Sequence, residues 1–180
     1  MQSRVLRHAI GIELLSLDTA QTALHYKAST RCCGPPRVYR EGMDSLSFRP
    51  GRAFLSSNSH TVPWTVVFED EGVAGYFYAC DRSRETQEES IFDAMLIYNV
   101  GALQNAETER LAAVQWSRDG LQAALYLDGS AQALFDFAQR AGYCRMNFPN
   151  FIAAQGDLWQ KESHAWSDAA FQRFEAALYA

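Results

Sequence analysis

A chain of 180 residues, 48% apolar and 13% aromatic, is long enough to bury one core and too short for two comfortable ones. That composition excludes intrinsic disorder. A net charge of −5 argues against a general nucleic-acid binder, which needs an excess of Lys and Arg to contact phosphates. No uninterrupted apolar run is long enough to cross a bilayer. Cys32, Cys33, Cys80 and Cys144 make no disulfide framework in a chain this long, so a reducing, cytoplasmic setting is expected.

Arg4 and Arg7 precede a short apolar run, but Glu13 interrupts it and no clean small-residue cleavage site follows, so a signal peptide is not expected. In residues 5–28, Ile10, Ile12 and Leu14 alternate, and 18–21 can turn the chain into a second strand over 22–28. Ala20, Ala23 and Leu24 would also suit a helix; a strand pair is the reading preferred. Gly34-Pro35-Pro36 and Pro50-Gly51 break regular structure, so residues 29–52 read as a loop. Its arginines, Arg31, Arg37, Arg40, Arg49 and Arg52, are expected to be solvated rather than to grip phosphate.

The stretch from Trp64 to Val100 organises the rest. Trp64, Val66 and Phe68 alternate with Thr65, Val67 and Glu69, which puts the two sets on opposite faces of a strand. Asp70-Glu71-Gly72 ends in the residue that reaches positive φ at least cost, as a short hairpin loop requires. The return strand, 73–80, sets Tyr76 and Tyr78 against Phe77. Residues 81–90 carry Arg82, Arg84, Glu85, Glu88 and Glu89 with nothing to bury, an exposed loop. Residues 91–100, apolar except for Asp93 and Asn99, suit a strand or a short helix; their length and the Ile97-Tyr98-Asn99-Val100 ending favour a buried strand.

Residues 101–110 return to polar loop. Residues 111–117 place Val114 and Trp116 on one face, and Arg118-Asp119-Gly120 turns the chain into a strand lined by Leu121, Ala123, Leu125 and Leu127. Asp128-Gly129 is a strong two-residue turn signal, after which Ala133, Phe135 and Phe137 alternate. Residues 138–163 read as irregular. A helix is predicted from near Ser167, capped by that serine, with Asp168 at the positive helix end and a Trp166–Phe171 hydrophobic staple. The fold expected is a single α+β domain over 1–180: an antiparallel sheet of about five to seven strands, built of hairpins and a meander, with a C-terminal helix at 165–180 packed on one face.

The blocks FEDEGVAGYFYA, IFDAMLIYNV, VQWSRDG, ALYLDGSAQALFDF and GYCRMNFP keep an order and spacing that resembles an uncharacterised family of small bacterial proteins classed as a domain of unknown function. The resemblance runs from about Phe54 to about Pro149 and implies a family core over 54–150. It brings no activity or catalytic residues with it. A histidine is common in the family where this chain has Leu96, so no catalytic or metal-binding role carries over to that position.

No catalytic signature emerges from the residues. Glycine-rich phosphate loops, G-x-S-x-G and metal-ligand spacing among His8, His25, His60 and His164 are all missing. No metal or cofactor is expected; a zinc site assembled from Cys80, Cys144 and His164 is the weaker alternative. Glu69, Asp70 and Glu71 crowd one turn, and their mutual repulsion predicts a protruding, solvated tip. Those three with Glu85, Glu88 and Glu89 form the candidate partner-binding surface. The function expected is a non-enzymatic bacterial immunity protein that meets the basic cleft of a toxin, with no nucleic-acid or membrane partner and with a homodimer as a further possibility. The alternative is an enzyme or small-ligand binder with a pocket near Asp93, Tyr98, Asn99 and His164, because polar groups in apolar surroundings need partners and active sites supply them. Trp64, Tyr76, Tyr78, Trp116, Trp159 and Trp166 are candidate pocket linings whose spacing suits core equally well.

Overall fold

A computed structural model of the chain describes residues 43–84, 90–146, 159 and 164–179. Among these residues the elements are β1 (Asp44–Phe48), β2 (Ala53–Asn58), β3 (Trp64–Asp70), β4 (Ala74–Asp81), β5 (Ile91–Asn99), β6 (Arg110–Trp116), β7 (Gln122–Leu127), β8 (Ser130–Asp136), β9 (Ala141–Cys144) and α1 (Asp168–Ala177). They form two antiparallel sheets, a five-stranded one in the order β1-β6-β7-β8-β9 and a four-stranded one in the order β2-β3-β4-β5.

The sheets lie face to face, with β1 against β2 on one flank and β9 against β5 on the other. Alternation decides which side chains meet between them. Val66 and Phe68 of β3, Phe77 of β4, Val114 of β6, Leu125 of β7 and Phe135 of β8 share one core, where the Phe77 and Phe135 rings stack at 5.1 Å. The complementary residues Val67 and Tyr78 face out of the four-stranded sheet and form a separate cluster with Cys80. Trp64, Trp116 and Trp159 gather around Phe137 at one end of the sandwich, within 4.9–5.6 Å between ring centroids, so these tryptophans are packing residues.

The helix forms where predicted. Ser167 Oγ accepts from the Ala170 amide at 3.2 Å, and the Trp166 and Phe171 rings lie 5.3 Å apart as the staple requires. Phe174, fully buried, packs with Ala170 on the outer face of the five-stranded sheet, against Ala113, Ala124, Tyr126, Ala131 and Leu134. That one ring contributes about 1.5–3 kcal/mol.

Three expectations need correction. The single sheet is two sheets, because the turn at 49–52 and the connection at 100–109 each carry the chain from one layer to the other. Periodicity reports the faces of a strand, not the layer it joins. Within the predicted loop 29–52, residues Asp44–Phe48 are β1, whose short serine-rich alternation sends Leu46 and Phe48 inward. Within the predicted irregular stretch 138–163, Ala141–Cys144 is β9, an edge strand paired with β8. The strand pair over 5–28 lies outside the described residues.

Candidate functional site

Two bulges in β5 decide what its polar residues do. Ala79 pairs with Asp93 and Cys80 with Ile91, so Phe92 is an extra residue; Gly75 pairs with Tyr98 and Tyr76 with Leu96, so Ile97 is another. Each bulge sends two consecutive residues toward the same side. The bulge at Ile97 lies between Asp93 and Tyr98, which plain alternation would put on opposite faces, so both point into the sandwich.

Asp93 meets His164 on the β5/β9 flank. His164 Nε2 lies 3.0 Å and 2.9 Å from the two carboxyl oxygens, with Asp93 at 0% and His164 at 2% exposure. The Ala94 amide also donates to Asp93 Oδ1. His164 is held by its backbone, its carbonyl accepting from the Cys144 amide at 2.8 Å, and Ala165 bridges to Cys144 in parallel. Cys144 in turn donates through Sγ to the Leu96 carbonyl. Room for the imidazole comes from Gly142: a Cβ there would stand 2.9 Å from His164 Cδ2 and 3.1 Å from both Met95 Sδ and the Phe135 ring. This pair is a seam between the two sheets.

Tyr98 belongs to a different arrangement, toward the other end of β5, and its side chain reaches across β4 to the end of β3. Its hydroxyl donates to Asp70 Oδ2 at 2.6 Å, and the amides of Gly51 and Gly72 donate to the same carboxyl at 2.7 Å and 2.8 Å. Asp70 thereby ties the β1–β2 turn, the β3–β4 turn and β5 together. Gly51 (φ 115°) and Gly72 (φ 100°) both occupy the left-handed region, where a side chain would be strained. Burial, and then the bond to Asp70, raise the Tyr98 hydroxyl well above the ordinary phenol value. Its ring lies over Gly75, where a Cβ would come within 2.7 Å of Cζ.

Beside Asp70 an open groove of about 870 Å³ runs between Leu46, Ser47 and Phe48 of β1, Arg52 and Ala53 at the start of β2, and Glu69–Glu71. Phe54 stands at its rim, 47% exposed. The volume is in the range of ligand clefts, roughly 300–1,000 Å³.

The predicted candidates thus fall in separate places. Asp93 and His164 are brought together, Tyr98 joins Asp70, and Asn99 is exposed at the end of β5, so the four do not converge on one pocket. His60 meets the Arg118 carbonyl through Nε2 at 2.9 Å. The protruding acidic tip is corrected: Glu69 and Asp70 are each 2% exposed, and Glu71 is half-buried. Asp70 faces inward because its carboxyl has three donors to satisfy, a stronger demand than repulsion from its neighbours. Glu85, Glu88 and Glu89 lie outside the described residues. Cys80 and Cys144 belong to different clusters, and burial pushes the Cys80 thiol up to about 12, leaving it inert as a nucleophile. Among the described residues no group of three His, Cys, Asp or Glu side chains could hold a metal ion, and no helix is long and apolar enough to cross a membrane. Sequence reasoning missed Gly142 and the groove; Pro50-Gly51 was legible as a turn, whereas nothing in the sequence linked it to Asp70.

A family profile described as an uncharacterised protein conserved in bacteria, DUF2251, matches residues 48–175. An uncharacterised protein of Haemophilus influenzae is 37% identical over 107 residues, covering 57% of this chain and 65% of that protein. The chain thus spans a little under two thirds of that relative's length. No solved structure matches the chain.

Proposed function

The chain belongs to this bacterial family, DUF2251, and we propose that it is a non-enzymatic protein that binds another protein, acting as an immunity protein against a toxin of the same cell. The observation that carries the reading is the state of Asp93 and His164. They are the natural acid–base pair of the chain, and they bind each other in the core at 0% and 2% exposure. A general acid or base must reach its substrate within hydrogen-bond distance, directly or through one water. Two further features support it: the net charge of −5 and a groove whose lining has three carboxyl groups and one guanidinium.

In this mechanism the acidic molecule is steered toward a basic cleft, and its bulk excludes the toxin's substrate. Glu69 and Asp70 no longer serve as contacts. Glu71 at the groove does, with Glu85, Glu88 and Glu89 as the acidic stretch that speeds encounter. The test is co-expression with the product of the neighbouring gene. A product that kills cells alone, is tolerated with this chain, and co-purifies with it supports the reading. A harmless neighbour that does not co-purify counts against it, as does turnover abolished by Asp93→Asn without loss of folding.

A further inference from the structure

The two flanks of the sandwich are finished differently. Beside β9 the chain itself supplies more backbone, through the Cys144–Ala165 bridge and the bond from the Cys144 amide to the His164 carbonyl. At the other flank, β2 pairs only with β3 among the described residues. An edge strand presents outward-pointing N–H and C=O groups, and proteins commonly blunt such edges with Lys, Pro or bulges. The β2 sequence, Ala53-Phe54-Leu55-Ser56-Ser57-Asn58, contains no charge and no proline, and its register against β3 is free of shifts. Phe54, Ser56 and Asn58 on its outer face are all exposed. The acidic-lined groove opens at the Ala53 end of this edge.

We propose that the β1/β2 flank receives an extended, basic strand of the partner, which pairs with β2 as a further strand of the four-stranded sheet. The inference rests on the protein-binding reading and names the chemistry it requires. Main-chain hydrogen bonds to β2 give affinity, while alternate side chains give selectivity. One face of the incoming strand packs beside Phe54. At the groove end, a Lys or Arg meets the half-buried Glu71 in the groove wall. Asp70, already accepting from Gly51, Gly72 and Tyr98, fixes the groove wall and does not itself bind.

The test titrates the isotope-labelled full chain with two short synthetic peptides, one alternating valine and lysine, the other valine and glutamate. The lysine peptide should shift amide resonances of 53–58 and 46–48, and added salt should weaken it. The glutamate peptide, and the lysine peptide with the variant Ser56→Lys, should bind about tenfold more weakly or worse. Ser56 is exposed, so the variant keeps the fold, which its unchanged spectrum elsewhere checks. Equal binding of both peptides, or shifts confined to other strands, overturns the proposal. So does a dimer in sedimentation whose β2 amides are protected without peptide, because a second copy is then the occupant. A co-purified partner that binds Ser56→Lys at full strength sinks the edge docking and leaves the protein-binding reading intact. Salt-sensitive lysine-peptide binding at β2, with no partner co-purifying, does the reverse.

Discussion

On the β5/β9 flank the sandwich is closed from within by a buried carboxyl–imidazole pair, a backbone bridge and a thiol-to-carbonyl bond. On the β1/β2 flank the ties sit toward the ends. Asp44 accepts from Ser57, which accepts from Trp116 at one end, and Gly51 donates to Asp70 at the other, with a groove beside it. The contrast shows that the same residue types do opposite jobs according to enclosure. Asp93, sealed with its partner, is a fastener, and Glu71, half-buried in the groove wall, is a surface feature.

The largest expected effect comes from unfastening the sealed flank. Asp93→Ala or His164→Ala leaves its partner buried and uncompensated, and each should cost about 3–5 kcal/mol in chemical denaturation. The double variant should cost clearly less than the sum of the two, because they share one interaction. Additive losses would mean that the pair is not coupled.

That seam was half legible in the sequence. Asp93 stood out as a polar residue in an apolar run, and His164 was a candidate partner. The reason they meet lies in the backbone bond that holds His164 against Cys144 and in the space left by Gly142, neither of which has a periodic signature. Hairpin turns were readable because Gly72, Asp128 and Gly129 all adopt the positive φ their residue types favour. The Glu69–Glu71 tip was misread because local charge repulsion was weighed without the donors that only the folded chain brings to Asp70. β1, β2 and β9 were missed for a different reason: such short, serine- or glycine-containing strands depend on neighbours more than on intrinsic propensity.

Gly142→Ala tests the seam more gently. Its new methyl group must displace the His164 ring, Met95 or Phe135, with an expected loss of about 1–3 kcal/mol in thermal or urea unfolding. Tyr98→Phe probes the tie between β5 and the two turns held by Asp70. It removes one of three donors to Asp70 and should cost about 1.5 kcal/mol, near the lower end for a bond to a charged group. Because the Tyr98 hydroxyl is raised in the folded state, its contribution is complete below the unfolded phenol value of about 10 and is lost as pH climbs toward the folded value. The ultraviolet phenolate band of the native protein should therefore lag behind that of the unfolded chain, and the lag should shrink in Tyr98→Phe. Smallest of all, Ser56→Lys on β2 should change stability by no more than about 0.5 kcal/mol, since Ser56 is exposed.

Hydrogen exchange of the full chain, free and in complex with whatever protein co-purifies with it, tests edge docking most directly. New protection should appear at Ala53–Asn58, with exchange around Asp93 and His164 unchanged. Protection appearing at the β5/β9 flank while β2 exchanges as in the free protein would contradict it.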